Sequence, residues 1–362
     1  MRGRRSVPPP LSRRRSKRRL LPKPLTTTMR STDMENATNV ITSDAIYDKK
    51  VEVYSGYIEH ARDTRLGTML RDLVENVEAC RRGVGSRRRA LFLIGASGSG
   101  KSFALRHHFS RIPAFQPWKN EFGETVRPLL SIEAPKPCTT KDFAMAILDA
   151  IGVPSKAKMT EGQLFATVKA QLRERGIIYL HVDEAQHLLR HSRSRAILDV
   201  QDRLKSLMQI DDWPLHTIYS GMPELAELLT GDQQLANRSM VMRFIPLSLP
   251  GDKASIVQVL ADIVEGKCGL SLPEELRTDD FLGRLCAANS GCYGKIIEAV
   301  QAACFLVMYK GKGTVDRRAF AYNYQRDTGC LPSDNVFTAA RWSEIDPGNA
   351  LADLATAGNG GK

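Results

Sequence analysis

Gly95-Ala96-Ser97-Gly98-Ser99-Gly100-Lys101-Ser102 constrains this chain more than any other stretch. It follows an apolar run, Ala90-Leu91-Phe92-Leu93-Ile94, and opens a segment of helical character. Strand, glycine-rich loop and helix in that order form the frame in which GxxxxGK[ST] holds phosphate. The glycines let backbone N–H groups turn inward, Lys101 can reach β- and γ-phosphates, and the Ser102 hydroxyl can ligate Mg²⁺. All eight residues, Gly95, Ala96, Ser97, Gly98, Ser99, Gly100, Lys101 and Ser102, are therefore expected to contact ATP, with Ser102 also on the metal.

A phosphate loop needs a carboxylate for the metal shell and a group that positions the attacking water. Ile177-Ile178-Tyr179-Leu180-His181-Val182 reads as a strand and is followed by Asp183-Glu184. Asp183 is placed to orient the Mg²⁺ shell and Glu184 to polarise the water. A further strand, Leu215 to Tyr219, delivers Ser220 beside the other strand ends, where its hydroxyl can bond the γ-phosphate or the water, or cap the helix that follows. Arg238 and Arg243 flank the segment entering a last strand, read as Arg243 to Leu249. An arginine there can reach a neighbouring subunit's nucleotide and stabilise charge in the transition state.

With 362 residues, 42% of them hydrophobic, the chain can bury one large core and a smaller one. No apolar run approaches the roughly 20 residues of a membrane span. The seven cysteines form no CxxC pair, which argues against a zinc ribbon and a disulfide framework and points to a reducing cytoplasm. The net charge of +12 is mostly local: Met1 to Arg30 hold eleven Lys or Arg and no acid, which leaves +1 for the remainder. Such a tail cannot build a core. It can bind phosphates non-specifically or mimic a mitochondrial presequence, and a translation start at Met29 or Met34 would remove it.

Strands alternating with helices, the strands apolar on both faces, indicate a parallel sheet covered on both sides, with phosphate chemistry at its carboxyl edge. Residues 1–34 are expected as a basic disordered tail, 35–88 as a helical lead-in, 89–249 as the nucleotide-binding α/β domain, 250–328 as a small all-helical domain and 329–362 as a polar tail. Thr139 to Ile151 and Thr160 to Arg175 read as helices; Thr160 and Gln163 match a capping box.

The residues just assembled resemble an AAA+ ATPase, a P-loop NTPase with a parallel sheet between helices and a helical lid. Within that superfamily the chain is similar, over about Ala90 to Tyr324, to transposition ATPases of the TniB and TnsC type. Three stretches carry the resemblance: Pro128 to Pro135 followed by Thr139 and Thr140, Asp183-Glu184-Ala185-Gln186-His187-Leu188-Leu189, and Arg238 to Leu249. The last two are shared with secretion-associated ATPases of the ExeA kind and with origin-recognition ATPases. The resemblance implies ATP-bound subunits assembling head to tail, as ring or helical filament, around duplex DNA, marking a target and recruiting or activating a separate transposase. It makes Ser220 a sensor-1 residue and Asn237-Arg238-Ser239 an arginine-finger segment. It also places Lys295 at the sensor-2 position, usually arginine, so that the charge is kept and the planar fork lost. DNA contacts fall to local clusters: Lys136 and Lys141 after the second strand, Lys156 and Lys158 on the next connection, and Arg190, His191, Arg193 and Arg195 after the acidic pair. The alternative from another class is a cytosolic ATPase of a secretion system acting on protein. Origin recognition is a third reading, for which the residues after Pro332 are too few and too polar to supply a winged-helix domain.

Overall fold

The computed structural model describes residues 44–154, 158–189 and 194–348. The expected basic tail, Lys156, Arg190, His191 and Arg193 lie outside them. The chain divides into Met1–Ala45 and Ile46–Lys362, and everything below concerns the second unit.

Helix α1, 46–55 within this unit, is followed by α2 (Ala61–Arg81). Helix α2 starts where His60 caps Arg62 N–H and Asp63 answers to the His60 N–H, a reciprocal pairing of backbone donors that would otherwise be orphaned. The sheet strands are β1 (Ala90–Gly95), β4 (Leu129–Glu133), β5 (Tyr179–Asp183), β6 (His216–Gly221) and β7 (Ser239–Phe244). They run parallel in the order β4-β5-β6-β1-β7. Between β1 and β4 lie α3 (Lys101–Arg111) and a small antiparallel ribbon, β2 (Trp118–Lys119) with β3 (Thr125–Val126). Val126 to Ile132 reads from sequence as one strand, but Val126 pairs in the ribbon and the sheet strand β4 starts at Leu129. Helices α4 (Thr140–Ala150) and α5 (Glu161–Glu174) carry capping boxes from Thr139 to Asp142 and from Thr160 to Gln163. Helix α6 (Ser194–Leu207) precedes β6, and α7 (Glu227–Thr230) and α8 (Gln233–Asn237) precede β7.

Burial explains the order. The β1 and β6 residues are buried along their whole length, whereas β4 and β7 at the edges are largely half-exposed or exposed. Successive β1 side chains serve opposite faces. Phe92 packs with α4 and α5 residues such as Phe143 and Val168, and Leu91 and Leu93 with Leu66, Leu70 and Leu105 of α2 and α3. Each such side chain contributes about 1.5–3 kcal/mol on burial.

The last strand corrects the sequence reading. It is Ser239–Phe244, not Arg243 to Leu249, because Met240 to Phe244 make the register with Leu91 to Gly95, while the chain beyond Ile245 turns away to the helical domain. That domain comprises α9 (Lys253–Ala261), continued as a π-helix over Asp262–Lys267, then α10 (Asp279–Ala288), α11 (Tyr293–Tyr309) and α12 (Arg317–Thr328). Within the stretch expected as a polar tail, residues 330–345 instead pack on this domain. Val336 and Phe337 join its core. Buried Arg284 donates to Val336 O (2.7 Å) and Ala339 O (2.9 Å), and Asn335 Nδ2 donates to Ala321 O (2.8 Å). Arg284 thus satisfies two carbonyls of a segment whose composition alone reads as exposed, and the segment's Asn335 in turn donates to a carbonyl of α12. Among the described residues, no single helix is long and apolar enough to cross a membrane.

Candidate functional site

The phosphate loop leaves the carboxyl end of central strand β1, and its shape depends on glycine. Gly98 (φ +75°) and Gly100 (φ +90°) are left-handed, a region that strains a residue bearing Cβ. Lys101 is 6% exposed, and its Nζ donates to Gly95 O (2.8 Å), Ala96 O (3.0 Å) and Ser99 Oγ (3.4 Å). Burial lowers its pKa from the ordinary lysine value, while Glu184 and Asp183 pull in the opposite direction. The ammonium therefore already feels both carboxylates that the sequence placed across from it.

Asp183 ends β5. Burial opposes its charge, yet hydrogen bonds from Ser102 and Ser220 hold its pKa below the usual carboxylate value. The Ser220 Oγ to Asp183 Oδ1 distance is 2.6 Å. Ser102, Asp183 and Ser220 thus meet at one point, as the motifs require. Ser220 directs its proton to Asp183 in this structure. Behind it, His181 Nε2 lies 2.9 Å from Ser220 Oγ, and His181 Nδ1 lies 2.7 Å from Ser131 Oγ on β4. Burial pushes the His181 imidazole down to about 4, so the ring is neutral at physiological pH.

Glu184 stands next to Asp183 in the left-handed region (φ 52°), unusual for a residue with a side chain. Its Oε2 accepts from Gln186 Nε2 at 2.7 Å, and His187 Nε2 lies 3.7 Å away. Gln186 is 2% exposed.

The helical domain closes the other side of the loop. Lys295 N donates to Gly98 O (3.1 Å), and the Lys295 stem lies over Gly98, where a Cβ would fall 2.7 Å from Lys295 Cγ. A Cβ on Gly294 would sit 2.5 Å from Gly98 O. Arg62, at the start of α2, donates through Nη2 to Ser99 O (2.8 Å), with its guanidinium 4.0 Å from the Phe244 ring centroid and 4.5 Å from that of Tyr293. Tyr293 OH donates back to Glu59 O at 3.1 Å. A cavity of about 930 Å³ opens between these parts, lined by Tyr57, Arg62, Lys101, Glu184, Tyr293 and Lys295 among others. That volume accommodates a nucleotide-sized ligand.

The remaining expected residues are elsewhere. Arg238 precedes β7 at the amino edge of the sheet, where its carbonyl accepts from Arg89 N and Ala90 N. Its guanidinium faces the Gln209 side-chain amide, whose oxygen accepts at 2.8 and 2.5 Å in the orientation that satisfies both donors. The length of β1, about 16 Å at some 3.3 Å per residue, separates it from its own loop. Arg243 is in register with Ile94, at the loop end, and exposed. Lys136 lies 3.5 Å from Glu133, exposed beyond the carboxyl end of β4, and Lys141 is in the first turn of α4. Arg190 and Arg193 lie outside the described residues.

Sequence reasoning missed Arg62, Ser131, His181 and Gln186. A histidine inside an apolar strand and a glutamine two residues after Glu184 were visible signals. Arg62 had none, because it reaches the loop from 37 residues upstream.

A family model described as "Bacterial TniB protein" matches residues 54–250, more than half of the chain. The chain belongs to the TniB family. The match runs from the end of α1, through all five strands of the large sheet, to the entrance of the helical domain. Solved structures with the same fold as this TniB-family chain include Cdc6p from Pyrobaculum aerophilum (15% identity, TM-score 0.50, covering 76% of this chain and 70% of that one). ORC1 from Aeropyrum pernix, solved in complex with DNA, is 18% identical with a TM-score of 0.50 over 77% of this chain and 68% of that one. ORC2 from Aeropyrum pernix, in ADPNP–ADP complexes, is 13% identical with a TM-score of 0.50 over 75% and 70%. The parallel five-stranded sheet with flanking helices is thus an AAA+ P-loop fold. No curated protein sequence matches the chain.

Proposed function

We propose that this TniB-family protein is an ATPase that binds duplex DNA and regulates transposition, selecting a target site and recruiting or activating a transposase. The observation that carries the reading is the convergence of Lys101, Ser102, Asp183, Glu184 and Ser220 at one end of a central parallel sheet. The donor set fits Mg²⁺–ATP. Two left-handed glycines turn the loop, a buried ammonium sits inside it, and a hydroxyl and a carboxylate share a hydrogen bond at its mouth. Gly95 to Ser102 would hold the triphosphate, with Ser102 and Asp183 on the metal and Lys295 over the loop from the lid. Bound Mg²⁺ would neutralise charge on the phosphate oxygens.

The side chains then have separable tasks. Lys101 exchanges its loop carbonyls for phosphate oxygens, a change from neutral acceptors to charged ones that favours binding. Glu184 takes the proton of the attacking water. Arg238, on the far edge from its own loop, serves a neighbour in a head-to-tail assembly, whose interfaces close into rings or continue as filaments. Lys136 and Lys141, beyond the carboxyl edge, contact DNA phosphates without reading sequence. Assembly follows ATP binding, and release follows hydrolysis. The TniB match supports the transposition reading, and the structural relative solved with DNA is compatible with a DNA partner.

ATP turnover of purified protein, with and without duplex DNA, tests this alongside electron microscopy in a non-hydrolysable ATP analogue. Expected are DNA-stimulated turnover and rings or filaments on duplex. Slow turnover indifferent to DNA, with no DNA-bound assemblies, would favour an ATPase acting on protein.

A further inference from the structure

The Ser220 hydroxyl donates to Asp183 Oδ1 at 2.6 Å and so uses its one proton there. Ser220 Oγ must then accept from His181 Nε2, 2.9 Å away, which puts the His181 hydrogen on Nε2. His181 Nδ1 is left with a lone pair, and Ser131 Oγ at 2.7 Å donates to it. Donation therefore runs one way, Ser131 to His181 to Ser220 to Asp183, across the adjacent strands β4, β5 and β6. His181 is 4% exposed and stands between Leu180 and Val182, both fully buried, with Phe109 edge-on at 5.2 Å. Packing alone would be served by an apolar side chain there, without the cost of desolvating an imidazole.

We infer that His181 is a positioning residue for ATP hydrolysis, fixing the Ser220 hydroxyl so that its proton points at Asp183 and the carboxylate is held in one orientation toward Ser102 and the metal shell. It touches neither nucleotide nor metal. Without the Nε2 donor, the Ser220 hydroxyl rotates freely and Asp183 loses a partner of fixed direction. Ser131 selects the tautomer from the exposed edge strand. The inference rests on the ATPase reading above.

The test is steady-state turnover against ATP and against Mg²⁺ for full-length wild type, His181→Leu, His181→Gln, Ser220→Ala and the His181→Leu/Ser220→Ala double variant. Thermal unfolding and equilibrium ATP binding accompany each. His181→Leu is expected to lower kcat about 10- to 100-fold, the usual effect of losing a partner that orients a metal-site ligand. Its half-saturating Mg²⁺ rises while ATP affinity stays within about twofold of wild type. His181→Gln, which retains an N–H donor, recovers most of the loss. The double variant matches the worse single variant, because His181 acts only through Ser220. Wild-type kcat in His181→Leu, equal impairment in Leu and Gln, or additive losses in the double variant would each overturn the role. If His181→Leu does not fold, His181→Met, of similar volume and more adaptable, takes its place under the same outcomes. Wild type that binds ATP but hydrolyses none, with or without DNA, removes the ATPase reading and this inference together; active wild type with indifferent His181 variants removes only the inference.

Discussion

Gln186 joins Glu184 to the end of the neighbouring strand. Its Nε2 donates to Glu184 Oε2 at 2.7 Å, and its Oε1 accepts the Met222 N–H at 3.0 Å, two residues beyond Ser220. The carboxylate proposed to take the proton of the attacking water is thus tethered to the strand that contacts Asp183. Gln186→Met should release Glu184 and raise turnover in the absence of DNA, narrowing the gap to the stimulated rate. It should also leave the Met222 N–H without its acceptor, costing about 1–3 kcal/mol. Turnover with and without duplex, paired with denaturant unfolding, reads both effects; an unchanged basal rate would mean that Gln186 only supports the fold.

Lys101 and Glu184 differ in what they should abolish. Lys101→Ala removes the ammonium and with it nucleotide binding and assembly. Glu184→Gln keeps the shape and removes the base, so ATP binds normally and turnover falls by about 10²- to 10⁴-fold. That variant should lock the DNA-bound oligomer. Equilibrium ATP binding and turnover separate the two, and equal loss of affinity in both would contradict the assignments.

The position of Arg238 at the far edge of the sheet predicts complementation between subunits. Arg238→Ala and Glu184→Gln should each be nearly inactive alone. Mixed, a Glu184→Gln subunit presents its arginine to an Arg238→Ala neighbour that still has its glutamate, and turnover returns. No recovery at any mixing ratio, with mixed assemblies seen by microscopy, would assign Arg238 to the structural contact with Gln209.

Gly294 sits where the lid meets the loop. Gly294→Ala would place a methyl 2.5 Å from the Gly98 carbonyl, so α11 must back away. ATP affinity should fall several-fold with little change in the unfolding midpoint of the α/β core. Gly152→Ala serves as the contrast: it meets nothing nearby and carries only the strain of a positive φ. Equal ATP affinity in the two variants would remove the lid contact from nucleotide binding.

Lys136→Glu with Lys141→Glu should weaken duplex binding and reduce the slope of log K against log salt by about two, one for each phosphate no longer neutralised. Filter binding over a salt series measures it. Unchanged affinity and slope would put the DNA path elsewhere.

His216 sets an acid limit to stability. It is fully buried at the start of β6, donating to Pro214 O from Nδ1 and accepting from Asn76 Nδ2 at Nε2. Burial pushes its pKa down to about 4 from 6.5. The folded state therefore binds this proton less readily than the unfolded one. Its contribution is complete above pH 6.5 and is lost as pH falls toward 4, on the order of 3 kcal/mol. His216→Gln should flatten that part of the stability profile, read as the unfolding midpoint between pH 7 and 4.

Much of the site was legible in the primary structure because its chemistry is local. Gly95 to Ser102 run from the end of one strand through one loop into one helix, and Asp183-Glu184 end one strand, so residue type and spacing identify them without knowledge of contacts. The capping boxes at Thr139 and Thr160 are legible for the same reason, since both partners lie three residues apart. The last strand was misplaced by a few residues because an edge strand lacks the continuous apolar run of a central one, and Met240 to Phe244 alternate only weakly. The segment after Gly329 reads as a tail because its hydrogen-bond partners are distant in sequence: Arg284 donates to the Val336 and Ala339 carbonyls, and Asn335 donates to the Ala321 carbonyl.

The sequence by itself determined the phosphate loop, the acidic strand end and the alternation that makes a parallel sheet, since each follows from neighbours along the chain. Only the tertiary structure decided that Arg62 reaches the loop, that Arg238 and Arg243 stand at opposite ends of β7, and that Ser131, His181, Ser220 and Asp183 form one directed chain. The last of these crosses strands 4.7–4.9 Å apart whose order along the sheet differs from their order in the chain. Which side chains meet is therefore set by strand order and register, neither of which is written in any single segment.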